Sequence, residues 1–430
     1  MVIDIWPAAT GWYGAAAPLV PPERTLSLSP DVVVIGGGIV GAASAYHLAK
    51  RGADVLLLEA DQLASGATGR NLGYIWVHTR RAGPELDLVM ATRTGLEDLP
   101  DELGVDFGLR TRGGLIYFTS EAQAVIMREF VERRTADGVP MQLLDGAEAR
   151  ELVPILPETV VGATYCPLDA QIDPRRYVRA FGLAAQRLGA TIHEGTAARA
   201  IEVEGSRMTR VHTDIGPISA GHVVLAAGAW TQPLARQLGL DLPIHPMRLQ
   251  VVQTEPMAPR LEHLLYGPAA VKQYSIFREL DSFTPEPFST DLERRLGLAL
   301  LESACQTSDG SYLLGIAMDY PGVDWKPSLA GVALVAEGML GALPELRGAR
   351  FARTWAGVLP FTSDALPLIG RAPGHDDLIV AAGHVFGNGA GPTTGRLVAD
   401  LICGGEPVLD PAPFRVDRPG LETSLEASIW

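Results

Sequence analysis

The chain has 430 residues, a formal net charge of −15, 47% hydrophobic residues and 20% charged ones, which suits two globular domains with sizeable cores. The acidic balance and the lack of any basic stripe argue against nucleic acid, because a phosphate-binding surface needs clustered Lys and Arg. Cys166, Cys305 and Cys403 are too few and too dispersed for a disulfide framework or a Cys-rich zinc site, so no metal centre is expected.

Residues 1–29 read as an irregular arm, given Pro18, Pro21 and Pro22. The arm lacks the positive start and unbroken apolar run of a signal peptide. No apolar stretch reaches the ~18 residues of a membrane span, and the cytoplasm is the expected compartment.

Asp31–Ile35 is a short β-branched run, the mark of a buried parallel strand. Gly36-Gly37-Gly38-Ile39-Val40-Gly41 follows, then a helical AASAYHLAKRG, then a second apolar strand ending in Glu59. Strand, glycine turn, helix, strand and acid in that order form a dinucleotide site. Gly36 permits the tight turn, Gly38 lets backbone approach a pyrophosphate, and Gly41 lets helix and strand pack closely. The helix start offers free N–H groups to phosphate, with Ile39 and Val40 in its first turn. Glu59 can accept ribose hydroxyls, and an acid there disfavours the 2′-phosphate of NADP.

After Glu59 the chain does not begin another helix, as an NAD domain would. It runs through a small, polar loop in which Ser65, Gly66, Ala67, Thr68, Arg70, Asn71, Leu72 and Gly73 can lie along a longer cofactor. That favours FAD. Arg80 and Arg81 come next and are placed to meet a carboxylate bidentately, although paired arginines also occur as solvated surface residues.

Gly114–Thr119 reads as a strand. Ala198 and the strand-like stretch 207–230, ending in VVLAAGAW, bring Ala227, Gly228 and Trp230 towards the nucleotide. Residues 255–300, rich in Pro and charge, read as loops and short helices. Within them Lys272 sits in an uncharged stretch: buried near a flavin it would activate oxygen or bind an acid, and otherwise it is a surface lysine. Tyr312–Ile316 reads as a strand, and Tyr274, Tyr312 and Trp355 are candidates to wall a pocket or to fill the core.

Gly357 and the run Leu378–Pro392 complete the series: a strand enters a glycine loop holding His384, Gly387, Asn388 and Gly389. Pro392 suits the first turn of the helix that follows. A helix start aimed at a flavin ring would stabilise negative charge on its reduced form. His384 opens this loop and is the first candidate to bond the ring or position an amine, the plainer role being a bond within the loop.

GGGIVG with Glu59, SGATGRNLG, QIDPRRYVRAF at 171–181, VVLAAGAWT at 223–231 and TWAGVLPFTSDALPLIG followed by AAGH together resemble the D-amino-acid oxidase superfamily of FAD-dependent amine oxidoreductases. The resemblance runs from Asp31 to about Pro407 and is strongest towards the sarcosine oxidase β-subunit, glycine oxidase and opine oxidase B-subunit group. It implies an α/β FAD-binding Rossmann-like domain (30–75, 150–240 and 346–410) interleaved with an α+β substrate domain (76–149 and 241–345). The latter would be built on a large mixed or antiparallel sheet, with 411–430 as a C-terminal tail.

The activity implied is oxidation of a C–N bond in a small secondary amine or amino acid, giving an imine that hydrolyses. A second reading is a flavoprotein subunit that hands electrons to a partner rather than to oxygen; a homo-oligomer is also open. Two departures matter. Relatives that attach the flavin through cysteine do so just before the C-terminal glycine loop, and 350–390 contains none, so FAD is expected to be non-covalent. Monomeric sarcosine oxidases hold the substrate carboxylate with a lysine in that loop, whereas Ala381–Thr394 contains neither Lys nor Arg.

Overall fold

The computed structural model describes residues 29–421, so the expected N-terminal arm lies, apart from Ser29, outside the described residues. Val32–Ile35 is buried at all four positions and pairs in parallel with Val55–Leu58 on one side and His222–Leu225 on the other. These strands centre a six-stranded sheet completed by Thr191–His193 at one edge and by the hairpin Leu368–Ala372 and His375–Ala382 at the other. The two-residue period decides which side chain faces which layer. Val32, Val34, Val55 and Leu57 pack with the helices Ile39–Lys50, Pro174–Arg187 and Gly387–Cys403. Val33, Ile35, Leu56 and Leu58 pack instead with a three-stranded sheet spanning Ala198–Glu204, Arg207–Thr213 and Gly216–Ile218.

A second sheet has eight strands, in the order Phe351–Phe361, His245–Thr254, Tyr312–Asp319, Ala299–Gln306, Leu264–Tyr266, Gly114–Phe118, Gly162–Cys166 and Gln142–Asp145. All its pairings are antiparallel except Leu264–Tyr266 with Gly114–Phe118, so it is mixed, as the resemblance implied. Gly162–Cys166 and Phe351–Phe361 belong here, and the expected domain breaks at 150 and 346 cut through this sheet. Their sequences read as strands, but cross-strand pairing chooses the sheet, and that is not written locally. The stretch 255–300 does hold short helices, Pro268–Val271 and Asp291–Leu296, and also the interior strand Leu264–Tyr266.

Two further expectations change. The described part of the C-terminal tail is docked: Phe414 and Val416 are buried, and Arg418 forks onto the Asp364 carboxylate at 2.8 and 2.9 Å. The last helix starts at Gly387, so Pro392 lies inside it rather than in its first turn. Its glycines serve a helix–helix seam, because a Cβ on Gly391 would sit 2.9 Å from Ile39 and one on Gly395 2.5 Å from the Ala43 backbone. Close backbone approach repays a sequence that propensity alone reads as loop.

Candidate active site

Between the two sheets runs a cavity of about 810 Å³. At one end the chain crosses itself at minimum distance. Gly36 has φ of +109°, and a Cβ there would meet the Ala226 carbonyl oxygen at 2.5 Å. Any side chain at Gly41 would collide with the Gly36 carbonyl. The helix Ile39–Lys50 therefore begins directly over the strand ends. Its N-cap, Gly38, supplies no side-chain bond, and Ile39 N donates instead to Thr68 Oγ1 at 3.3 Å.

Glu59 reaches into this end. Its Oε2 accepts from Gly37 N at 2.6 Å, and its Oε1 from Asp61 N at 2.9 Å and Ser65 Oγ at 3.2 Å. Burial raises its pKa, and these bonds partly oppose the shift. Arg199, paired with Asp214 at 2.8 Å, completes the rim with Ala197.

Midway, Arg70 donates to Ser65 O at 2.7 Å and Ala356 O at 3.3 Å, and its guanidinium lies 4.6 Å over the Trp325 ring. Asn71 and Asn388 exchange side-chain bonds at 3.0 and 3.3 Å, tying the early loop to the last helix. That helix has no side-chain cap and no acid in its first turn. Both helix starts, neither bonded by the side chain of its own N-cap residue, thus open onto one cavity, with Gly36–Val40 at one and Gly387–Asn388 at the other.

The far end is built from side chains. Trp76 and Tyr266 meet edge to face at 4.5 Å, and Tyr274 lies 6.0 Å beyond Tyr266. Arg80 is buried, sits 4.6 Å over the Phe386 ring and 5.6 Å from the Tyr274 ring, and bonds Glu85 at 3.0 Å. Its Nε has no hydrogen-bond partner. Arg81 shares Glu85 and donates to Asp364 O, so two cations face one carboxylate and a net positive charge remains at Arg80.

His384 is also buried here, and burial pushes its pKa down to about 3, leaving it neutral near pH 7. Thr394 Oγ1 donates to Ala390 O, so its contact with His384 Nε2 at 2.9 Å makes Nε2 the donor and Nδ1 the bare acceptor.

Most residues expected at a cofactor line this cavity, including Gly36, Gly38, Ile39, Val40, Glu59, Ser65 to Leu72 except Gly69, Ala227, Gly228, Trp230, Gly357, Gly387 and Asn388. Others do not. Gly41 serves the helix–strand crossing, and Gly73, with φ of +82°, turns the chain against Ile172. Gly389 faces Val89 at 3.2 Å, and Ala197 rather than Ala198 reaches the cavity. Lys272 is spent on Glu293 and Phe288 O. Tyr312 is core on the opposite face of the sheet, while Tyr274 and Trp355 do wall the cavity. Sequence reasoning missed Trp76, Tyr266 and the Trp325–Pro327 loop; no spacing links them, since the fold gathers them from three separate stretches.

Behind Trp76 lie His78, Cys166 and Asp169, whose ligand atoms fall within 4.8 Å of one another. The donors and acceptors of His78 and Asp169 are already engaged: Asp169 accepts from Val77 N, His78 N and the His78 ring, and His78 Nε2 meets Thr164 Oγ1 at 2.7 Å. Trp76 stacks on His78 at 4.7 Å, so this group braces the pocket wall. Among the described residues no helix is long and apolar enough to cross a membrane.

Residues 31–401 match the family model described as FAD dependent oxidoreductase. The chain is 30% identical to a glycine oxidase of Geobacillus kaustophilus over 398 residues, covering 90% of this chain and 97% of that one. The crystal structure of glycine oxidase from Geobacillus kaustophilus superposes with a TM-score of 0.79 at 29% identity, covering 91% of this chain and 99% of that one. An L-proline dehydrogenase structure from P. horikoshii gives 0.77 at 27% identity, with 90% and 97% covered.

Proposed function

Because the chain belongs to the FAD-dependent oxidoreductase family, we propose that it oxidises the C–N bond of a small amino acid whose carboxylate is held by Arg80. The observation that carries this reading is the buried Arg80, facing the cavity with net positive charge and an Nε without a partner. The relatives are named for glycine and for L-proline, both small amino acids.

The residues fit the cofactor. Backbone N–H groups at Gly38–Val40 and the acid Glu59 would hold its pyrophosphate and ribose, and the uncapped Gly387 helix start would face the ring. FAD, when bound, takes two electrons and the α-hydrogen from the substrate. The protein's part is to place that substrate. Arg80 fixes the carboxylate, Trp76 and Tyr266 exclude water, and neutral His384 adds no positive charge beside the amine. The imine product then takes up water and breaks into a carbonyl compound and an amine.

Anaerobic mixing with amino acids and with the same amines lacking the carboxylate tests this reading. Amino acids bleach the flavin, and the decarboxylated analogues do so far more slowly. Equal bleaching by both sets would overturn the role of Arg80.

A further inference from the structure

The substrate end of the cavity hangs on one short turn. Trp76 and Arg80 both line the cavity, and Arg80 N closes the turn between them on Val77 O at 3.1 Å. The peptides inside it are gripped by two buried groups of opposite charge. Asp169 accepts from Val77 N at 2.7 Å and His78 N at 3.1 Å. Arg134 donates to His78 O at 3.1 Å and Val77 O at 3.4 Å. With the main chain fixed in this way, what remains to be set is where the Trp76 and Arg80 side chains point.

Thr79 bonds both. It is buried and does not itself line the cavity. Its Oγ1 accepts from Trp76 Nε1 at 3.1 Å and from Arg80 Nη2 at 3.2 Å, and its own proton goes to the Tyr274 hydroxyl oxygen. A hydroxyl has two lone pairs and one proton to offer, so all three are in use, each on a different residue of the pocket wall. At Arg80, Thr79 works together with Glu85, which pairs with Nη1 at 3.0 Å. The guanidinium is thus held at both Nη atoms, while Nε, without a protein partner, is left for a ligand.

We propose that Thr79 is a positioning residue for the substrate carboxylate: it never touches the substrate but presets the Arg80 guanidinium that does. This rests on Arg80 as the carboxylate anchor. A loose arginine samples many rotamers, and fixing one in advance removes that entropy loss from the binding step. Thr79→Val removes the hydroxyl and keeps the shape, which leaves Arg80 held by Glu85 alone. A neutral hydrogen bond typically contributes a factor of about three to ten.

The test is made on the FAD-loaded enzyme with proline against pyrrolidine and glycine against methylamine. Acetate, a carboxylate without an amine, is added as a binding probe read from the flavin absorption band. The wild type prefers the acid in each pair. In Thr79→Val the acid-to-amine ratio of kcat/KM falls about threefold to tenfold and the acetate Kd rises to the same extent. Thr79→Ser, which keeps the hydroxyl, retains both. If the valine variant does not load flavin, Thr79→Ala carries the same comparison, and if no substrate bleaches the flavin, acetate affinity decides. A Thr79 that only supports the fold lowers the melting temperature and leaves ratio and acetate affinity unmoved. That result, or a serine variant as impaired as the valine one, overturns the inference while Arg80→Ala still loses acetate. Acetate bound no better by the wild type than by Arg80→Ala overturns the Arg80 reading, and the inference with it.

Discussion

The two ends of the cavity are made in different ways. The nucleotide end is mostly backbone: glycines that let strands and helix touch, a helix start whose N-cap glycine offers no side chain, and one buried carboxylate tied to main-chain amides. The substrate end is mostly side chains, with aromatic rings and one arginine delivered from separate stretches of chain. Backbone sites tolerate little because a new Cβ has nowhere to go. Side-chain sites can be re-cut residue by residue.

The largest effect expected at the backbone end comes from Gly41→Val. Its side chain would strike the Gly36 carbonyl, and overpacking of this kind costs roughly 3 kcal/mol. Purified protein should lack flavin and melt early; a variant with wild-type FAD content would show that the crossing can relax. Next is Arg80→Ala. Hydrogen bonds to charged groups contribute about 1.5–3 kcal/mol, so kcat/KM for carboxylate substrates should fall about tenfold to a hundredfold. FAD content should stay unchanged. Loss of flavin instead would erase the contrast between the ends.

Glu59→Ala tests the buried carboxylate of the nucleotide end. Its FAD affinity should drop about tenfold, read by flavin retained after dialysis, since 1.4 kcal/mol is one factor of ten. Acid should act on the buried histidines and on Glu59 in opposite directions. His384 is depressed to about 3 and His47, in the last turn of the Ile39–Lys50 helix, to about 4, both by burial. The unfolded chain protonates both near 6.5, so the stability they support is present above that pH and is lost as pH falls towards 3. Glu59 is raised by burial, so the cost of its charge disappears in acid and grows as pH rises through its folded pKa.

Melting curves of the cofactor-free protein between pH 4 and 7 should therefore lose their acid sensitivity in part in His384→Asn and gain it in Glu59→Gln. The opposite pattern would contradict the assigned burial effects. The smallest change is expected from Lys272→Met, which lies outside the cavity and should alter kcat and KM by less than about twofold. A large loss of turnover would return Lys272 to the active site.

This contrast also explains what could be read in advance. Glycine spacing and β-branched strands anticipate the strand–turn–helix crossing and the place of Glu59 beside it, because backbone constraints leave a local pattern. Gly389 and Pro392 misled because glycine in a loop and glycine in a helix seam look alike along the chain. Trp76 and Tyr266 carry no such mark. They become neighbours only after Leu264–Tyr266 enters the eight-stranded sheet beside Gly114–Phe118. Arg80 could be proposed by type, but its separation from Arg81 rests on Glu85 and Asp364, partners visible only in the fold.

The bond between Asn71 and Asn388 joins residues 317 positions apart. Val32–Ile35 likewise waits for His222–Leu225 before its second flank is paired. A ribosome delivers the glycine turn long before the closing helix Gly387–Cys403, and such distant pairings slow folding. The flavin berth is thus finished only once Gly387–Cys403 has emerged, and cofactor loading waits for that helix. Nascent fragments that end before Gly387 carry the fingerprint but not the site.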